Sequence, residues 1–164
     1  MESARPATLT DVPRLAELAE QAVDELTPTK GGAVWGRREA RRSPYADSLR
    51  ADLDASDRCV LVGEILGAIV GYAVVRAESL RDGGVLGVID DLYVEPEARQ
   101  VGVGEALMDA IESWCRARGC FGVDGLALPG NRDTKNFFER FGLVARAIVV
   151  HRSLRDAPDA PDAP

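Results

Sequence analysis

Apolar residues at helical spacing dominate the first part of the chain and then give way to a polar stretch. After a short strand at the start of the chain, Leu15, Leu18 and Leu26 share one helical face with two alanines between them. This pattern predicts a helix with one buried side. The stretch TPTKGG ends that helix, and an arginine-rich polar segment follows, with a second helix expected from about Tyr45 to Leu53.

Strand-type patterning dominates the middle of the chain. The run from Arg58 to Ser79 is rich in Val and Ile, and small residues near its centre predict a β-hairpin. A further strand starts at Val85 and is ended by Pro96. The remaining predicted elements are an amphipathic helix that ends at Gly119, a strand over 121–128, a short helix closed by Gly142, and a last strand over 143–154.

The predicted order of elements, β-α-α-β-β-β-α-β-α-β, indicates one domain of mixed architecture. Hairpin-type neighbours occur together with one strand–helix–strand crossover, so the sheet is mixed and the class is α+β, or α/β in the loose sense. We expect the domain to span residues 1–154. Residues 155–164 repeat a small polar unit without apolar anchors and are expected to form a disordered tail.

Composition and charge narrow the function classes. The 164 residues are 46% apolar and 29% charged, and the formal net charge is −7. An acidic chain lacks the basic face that binding to nucleic acid or to an anionic membrane requires, so neither partner is expected. Three cysteines without a C-x-x-C pair and a single histidine argue against a disulfide framework or a metal site. With no signal-type or membrane-spanning run, the chain is expected to be cytoplasmic.

The strongest chemical signal is a glycine-containing loop between a strand and a helix. Gly102 and Gly104 let the backbone approach a ligand closely, and free N–H groups at a helix start favour a phosphate. Arg99 adds a fixed positive charge. A Walker loop is excluded because no G-K-[ST] follows the glycines, and a dinucleotide fingerprint is disfavoured because Leu107 occupies its third glycine position.

At this loop the chain resembles the GNAT N-acetyltransferase superfamily. RQVGVG matches the superfamily's R/Q-x-x-G-x-G/A motif, IDDLYVEPEAR resembles its central strand, and NFFERFGL resembles its FYExxGF helix. The opening RPATLTDVPRLAELA is similar to its first strand and helix, and an asparagine follows the next strand. The resemblance covers about residues 5–154 and implies a mainly antiparallel central sheet, flanked by helices, with a V-shaped opening between two parallel central strands.

The resemblance implies a site for acetyl-CoA as co-substrate, with no metal. The two central strands would be Val85–Val94 and Phe121–Leu128. Backbone groups of Leu92, Tyr93 and Val94 would hold the pantetheine arm, and Asn131 would contact the same arm or the coenzyme. The pyrophosphate would lie on the backbone of the loop and helix start, where Arg99 is adjacent; these residues are Gln100, Val101, Gly102, Val103 and Gly104.

The implied reaction is direct attack of a primary amine on the thioester carbon. Freeing the lone pair of a lysine-like amine at pH 7 costs about 4.6 kcal/mol, so a nearby base or water chain matters. Asp90 and Asp91 lie on the central strand and are the candidate catalytic residues, holding the substrate ammonium and passing its proton to water. Strict alternation would place them on opposite faces of the sheet, and a β-bulge would change that.

One position departs from the superfamily pattern. The tyrosine usually assigned as the acid for the leaving thiolate is Phe138 here, a residue expected to line the acetyl-CoA tunnel, while Phe137 and Phe141 form a core pair. The alternative to an N-acetyltransferase is therefore a non-catalytic acyl-CoA-binding sensor or interaction module. The acceptor, a small-molecule or peptide amine, is not identified by the sequence. A homodimer is possible, and the arginines of segment 37–42 could face the substrate.

Overall fold

The computed structural model describes residues 1–155 and shows one five-stranded sheet flanked by helices. The strands are β1 (Glu2–Pro6), β2 (Arg58–Ile65), β3 (Ala68–Ser79), β4 (Val85–Val94) and β5 (Gly122–Asp124). The helices are α1 (Val12–Leu26), α2 (Gly32–Arg38), α3 (Tyr45–Asp54), α4 (Val103–Ala117) and α5 (Arg132–Arg140). Short 3-10 turns precede α1 and α4, at Leu9–Asp11 and Pro96–Ala98.

The sheet runs in sequence order, and only its last pair is parallel. β1 to β4 form consecutive antiparallel ladders, and β5 joins β4 in parallel through the α4 crossover. The parallel ladder covers only Leu86–Val88 of β4 and Gly122–Asp124 of β5. The rest of β4 therefore has no partner from β5, and this leaves the predicted V-shaped opening between the two strands. The predicted fold class is confirmed.

Strand alternation divides the core into two layers. On one face, α1 and α3 cover a cluster that includes Leu15, Leu49 and Tyr72. On the other face, α4 and α5 cover a second cluster that includes Leu107 and Phe138. Because successive strand residues point to opposite faces, each central strand contributes to both clusters.

The start of α1 is fixed by a carboxylate rather than by a hydroxyl. One oxygen of Asp11 accepts the backbone N–H of Thr8 at 2.8 Å, and Arg5 pairs with both carboxylate oxygens. These hydrogen bonds lower the pKa of Asp11 to about 2, and the one from Arg5 has the largest effect. The ion pair joins the end of β1 to the beginning of the helix layer.

Three sequence expectations are wrong in detail. Helix α2 was not predicted; it is only seven residues long and contains two glycines. The strand expected over 121–128 shortens to β5, because residues 126–128 line a cavity instead of continuing the ladder. The last predicted strand, over 143–154, is not formed, and its apolar side chains lie in solvent. The tail expected over 155–164 falls, apart from Arg155, outside the described residues.

Candidate functional site

A cavity of about 1070 Å³ occupies the opening beside β4. It is large for a small-molecule pocket, so it has room for a long ligand. Its walls come from α1, the α2–α3 segment, strands β2 to β4, the start of α4, the loop after β5, and α5. Predicted site residues that line it are Asp90, Asp91, Leu92, Tyr93, Val94, Arg99, Gln100, Gly104, Asn131 and Phe138.

A bulge in β4 determines which way its two aspartates point. Val74 of β3 is opposite Asp91, and Val75 is opposite Ile89, so Asp90 is the extra residue. Ile89 packs on the α4 side of the sheet, whereas Asp91 bonds to Tyr72, which belongs to the core on the α1 side. Both carboxylates therefore face the same charged network, where strict alternation would have separated them.

Asp91 is held in a buried ion pair. Arg41 donates Nε to one carboxylate oxygen at 2.8 Å and Nη2 to the other at 2.7 Å, and the Tyr72 hydroxyl donates at 2.6 Å. The same Nη2 lies 2.7 Å from Asp52 on α3, and the Arg41 side chain is only 7% exposed. Burial, then the charge of Asp91, raises the Tyr72 pKa well above its usual value. Asp91 anchors the α2–α3 segment to the central sheet.

Asp90 is more accessible than Asp91. Its oxygens accept Arg58 Nη1 and Arg76 Nε, each at 3.1 Å, and its side chain remains 26% exposed. Desolvation by burial raises the Asp90 pKa, and the neighbouring Asp91 acts in the same direction, against the two arginines. Asp90 is thus a stronger base than an ordinary surface aspartate and still reaches the cavity.

The glycine loop presents its backbone at the start of α4. Gln100 has φ +66° and Gly102 has φ +96°, while Val101 between them is not left-handed. Alternation of this kind is the backbone form in which successive N–H groups converge on an anion. Gly102 is the N-cap of α4 and has no side-chain cap, so the first helical amides are available to a ligand. A Cβ on Gly104 would lie 2.9 Å from the Phe137 ring.

Arg99 is nearer to protein groups than the sequence suggested. Its Nε donates to the Val94 carbonyl at 2.8 Å, its Nη2 pairs with Glu25 at 2.8 Å, and its guanidinium lies over the Tyr93 ring. Arg99 therefore fixes the end of β4 and is partly neutralised. Burial of the phenol has the largest effect on the Tyr93 pKa, and the charge of Glu25 comes next. Together they raise this pKa to about 12.

The loop after β5 contacts the loop after α1. Asn131 caps α5 by accepting the N–H of Thr134 at 3.3 Å, and it also lines the cavity. The N–H of Gly130 donates to the Lys30 carbonyl at 3.2 Å, which joins the loop after β5 to the loop after α1. The two loops are therefore in contact next to Asn131.

The two phenylalanines of α5 both line the cavity. Phe138 is 7% exposed and lies in the core cluster under α4, whereas Phe137 is only half-buried and packs against Phe141 with ring centroids 5.1 Å apart. The Cζ atom of Phe138 lies 2.7 Å from the position that a Cβ on Gly125 would take. The expectation that Phe137 is the core residue is thus too simple, because Phe138 is the more buried of the pair.

A Phe138→Tyr variant is expected to keep acetyl-CoA affinity within about twofold and to change turnover by less than about tenfold. Its new hydroxyl would be directed at Gly125 in a packed wall, and we expect about 1–3 kcal/mol of lost stability from overpacking. Urea unfolding, calorimetric titration and steady-state kinetics measure the three quantities. A gain in turnover of 100-fold or more would show that the protein lacks only this acid.

Several residues that shape the site were not assigned roles from sequence. Arg41 was expected only as one member of an arginine cluster, and Arg58 and Arg76 were not singled out. Of the aromatic candidates, Trp35, Tyr72 and Tyr93 line the cavity, whereas Tyr45 packs against the α1 core. The available signal was one arginine on each of two neighbouring predicted strands: Arg58 and Arg76 lie opposite each other in the β2–β3 ladder, and both donate to Asp90.

Comparison with known proteins assigns the class. A sequence model of the acetyltransferase (GNAT) family matches residues 19–143. The chain belongs to this family and is an acyltransferase, so the predicted family and enzyme class are confirmed. Among the described residues, no helix combines the length and apolarity needed to cross a membrane, and no cluster of three or more His, Cys, Asp or Glu side chains is arranged to hold a metal ion.

Relatives with assigned activities are distant. The chain is 30% identical over 107 residues to the aminoglycoside N(6')-acetyltransferase type 1 of Stenotrophomonas maltophilia, covering 60% of this chain and 69% of the relative. It is 25% identical over 134 residues to the glucosamine 6-phosphate N-acetyltransferase of Arabidopsis thaliana, covering 80% and 85%. The fold matches AAC(6')-Iy, solved with a bisubstrate analogue of CoA and acetylneamine, with TM-score 0.72, 18% identity and coverage of 94% and 99%.

Proposed function

We propose that the protein transfers the acetyl group of acetyl-CoA to a primary amine of a small molecule. One observation carries this proposal: a single cavity connects a phosphate-type backbone loop at the start of α4 to a pair of carboxylates on the bulged strand β4. The first feature suits the coenzyme and the second suits a cationic acceptor. Family membership supports the acetyl-transfer class.

The residues present fit the coenzyme. The uncapped amides of Val101 to Gly104 would receive the pyrophosphate, because a helix N-terminus carries free donors and the positive end of the dipole. Beyond Val88, the side of β4 that faces the opening has no β5 partner, which supports a role for the backbone groups of Leu92 to Val94 in holding the pantetheine amides. The coenzyme supplies an activated acetyl thioester.

The amine has to be neutral when it attacks. Asp90 would hold the substrate ammonium and pass its proton to water; its position in the cavity lining and its raised pKa support this role. As the carbon–nitrogen bond forms, the carbon–sulfur bond breaks, and the nitrogen loses its second proton to water while the thiolate takes a proton from water. Asp91 was proposed for the same role, but its side chain is only 10% exposed, against 26% for Asp90, and it is paired with the buried Arg41, so we assign it to positioning.

The absence of a tyrosine at position 138 does not prevent this reaction. A thiol with a pKa near 8.5 is a fair leaving group at neutral pH. General acid assistance is worth about 10²–10⁴-fold, against total accelerations of about 10⁶ or more. Tyr72 donates its hydroxyl to Asp91, and Tyr93 lies 3.5 Å from the Gln21 amide oxygen, so both phenols are already directed at protein groups.

The relatives favour a small, polyfunctional amine as the acceptor. Those matched in sequence are named for aminoglycosides and for glucosamine 6-phosphate, which share an amine on a polar ring. The cavity lining carries both signs of charge, because Arg38, Arg42 and Glu39 line it together with the two aspartates. Such a lining suits an amine that also bears polar or anionic groups.

An Asp90→Asn variant is expected to lower kcat about 10²-fold and to leave the Kd for acetyl-CoA unchanged within twofold. The Asp90 pKa is raised, so the carboxylate is active above that pKa and the rate falls as pH drops through it. The wild-type acidic limb should therefore lie above the pH of an ordinary aspartate, and the variant should lack it. Asp109→Asn, at an exposed position of α4, is the control. An unchanged kcat in Asp90→Asn would refute the assignment.

A thiol-release assay tests the proposed function. Acetyl-CoA is supplied with a panel of aminoglycosides, amino-sugar phosphates, polyamines, amino acids and peptides, and products are identified by mass spectrometry. We expect acetylation of at least one small-molecule amine. Tight binding of acetyl-CoA in calorimetry, with the thioester left intact across the panel, would instead support the non-catalytic sensor.

A further inference from the structure

The end of helix α4 brings two free cysteines together at a distance from the cavity lining. Cys115 lies in the last turn of α4, and Cys120 lies just before β5. The helix ends in a Schellman motif, in which the N–H of Cys120 donates to the Cys115 carbonyl at 3.0 Å and the N–H of Gly119 donates to the Arg116 carbonyl at 3.1 Å. Gly119 has the left-handed backbone that this motif requires, with φ +73°. The motif commonly brings two apolar side chains into contact, and their positions are those of Cys115 and Cys120 here.

The backbone holds these two cysteines within reach of a disulfide. An amide nitrogen lies about 1.5 Å, and a carbonyl oxygen about 2.4 Å, from its own Cα. The 3.0 Å hydrogen bond therefore limits the distance between the two Cα atoms to at most about 6.9 Å. A disulfide is excluded only beyond about 7 Å. Both side chains also pack in the core cluster that includes Leu107, so the pair can be bridged without rearranging the end of the helix.

The two thiols differ in their access to solvent, and this difference gives each a role. Cys115 is 4% exposed, and its Sγ lies 2.5 Å from the position that a Cβ on Gly87 would take. Burial has the largest effect on the Cys115 pKa, and the neighbouring Cys120 comes next; together they raise this pKa to about 12. Cys115 is thus a protonated thiol shielded from solvent, whereas Cys120 is only half-buried. A small oxidant in solution therefore reaches Cys120 first.

Cys59 is the competing partner for Cys115, and its place in the sheet disfavours it. Cys59 lies in β2, opposite Val75 of β3, and packs against the same core cluster. Its effect on the Cys115 pKa is smaller than that of Cys120. A residue fixed in a ladder cannot move toward Cys115 without disturbing that ladder, whereas Cys120 is already joined to Cys115 by a backbone hydrogen bond. Cys115 and Cys120 are therefore the pair that the fold prepares for bridging.

We propose that Cys115 and Cys120 form a reversible oxidation site that reacts with hydrogen peroxide. The Cys120 thiolate attacks one peroxide oxygen, the O–O bond breaks, and Cys120 becomes a sulfenic acid while the other oxygen leaves as water. The Cys115 sulfur then attacks the Cys120 sulfur, the S–O bond breaks, and the hydroxide leaves as a second water with the Cys115 proton. The disulfide ties the end of α4 to the residue that leads into β5, and a thiol reductant restores both thiols. This chemistry is independent of the acetyl transfer proposed for the cavity.

Peroxide treatment of the folded full chain, followed by alkylation, trypsin digestion and mass spectrometry, tests this proposal. Trypsin cleaves at Arg116 and Arg118 between the two cysteines, so the disulfide is detected as a linked pair of peptides. The wild type is expected to lose two alkylatable thiols, to yield that linked pair, and to regain both thiols in dithiothreitol. In Cys115→Ala, the sulfenic acid at Cys120 has no partner, so sulfinic acid at Cys120 should exceed the wild-type level at least about tenfold. Cys59→Ala is the matched control and should form the disulfide as the wild type does.

Three results would overturn the proposal. The first is a disulfide that includes Cys59, or a wild type that keeps all three thiols. The second is sulfinic acid at Cys120 that reaches the same level in the wild type and in Cys115→Ala, because the two cysteines would then not act as a pair. The third is a disulfide that forms only in urea, which circular dichroism of the oxidised protein distinguishes from a bond formed in the folded chain. Since the linked peptides are measured in the wild type itself, an unstable Cys115→Ala protein leaves the first and third results decisive.

Discussion

Replacement of Gly104 by valine is expected to weaken binding of acetyl-CoA at least 100-fold, equivalent to about 2.7 kcal/mol. Gly104 lies in the first turn of α4, where even a Cβ would approach Phe137 to 2.9 Å. The larger side chain forces either the ring or the helix start to move, and it occupies the surface over the free amides. Phosphate binding depends on those amides being reachable. Isothermal titration with acetyl-CoA measures the change.

Gly122→Val is the matched control for this prediction. A Cβ on Gly122 would meet only Leu86, at 3.9 Å, which is ordinary van der Waals contact, and the position lies in a strand that accepts valine. Its acetyl-CoA affinity should equal that of the wild type. If a folded Gly104→Val protein binds acetyl-CoA with wild-type affinity, the loop at the start of α4 is not the pyrophosphate site.

Asp91→Asn is expected to lower the free energy of unfolding by about 3 kcal/mol. The substitution keeps the shape of the side chain but removes the charge that balances Arg41, whose side chain is 7% exposed. A buried guanidinium that loses one of its two carboxylates keeps its desolvation cost and loses much of its compensation. Urea denaturation measures the effect, and the α2–α3 segment should show the largest increase in hydrogen exchange.

Two comparisons test whether this loss of stability comes from the buried ion pair: a double-mutant cycle, and a change in an exposed ion pair. Arg41→Met combined with Asp91→Asn should be less destabilising than the sum of the two single changes, because the unpaired charge is removed as well. Asp47→Asn breaks an exposed pair with Arg50, whose side chains are 71% and 53% exposed, and should cost less than about 1 kcal/mol. Equal effects of Asp91→Asn and Asp47→Asn would show that the network does not anchor the segment.

Local hydrophobic patterns predicted most of the helices and strands, because such patterns show which side chains of an element are buried. The helical spacing of Leu15 and Leu18 and the hairpin signal after Arg58 reflect single elements packed on one core, and these elements are present. Residues 143–154 show the limit of the same signal. Their β-branched residues predicted a strand, but propensity does not specify a partner, and within the described chain no ladder forms.

The geometry of the cavity could be predicted from the sequence in its backbone parts and less well in its side chains. Gly102 and Gly104 identify a loop because only particular residues tolerate its conformation and close contacts. The orientation of Asp91 depends on one extra residue in a ladder, and a bulge leaves no mark in a run such as IDDLYV. Its pairing with Arg41, 50 positions earlier in the chain, is a tertiary contact that no local pattern contains.

A crystal structure with coenzyme A and an amine substrate tests the central claim, that the cavity beside β4 is the acetyl-transfer site. The account predicts pyrophosphate oxygens within hydrogen-bonding distance of the Val101 to Gly104 amides, the pantetheine arm along Leu92 to Val94, and the acceptor amine next to Asp90. Coenzyme bound outside this cavity, or bound with its thiol directed away from Asp90, would contradict it.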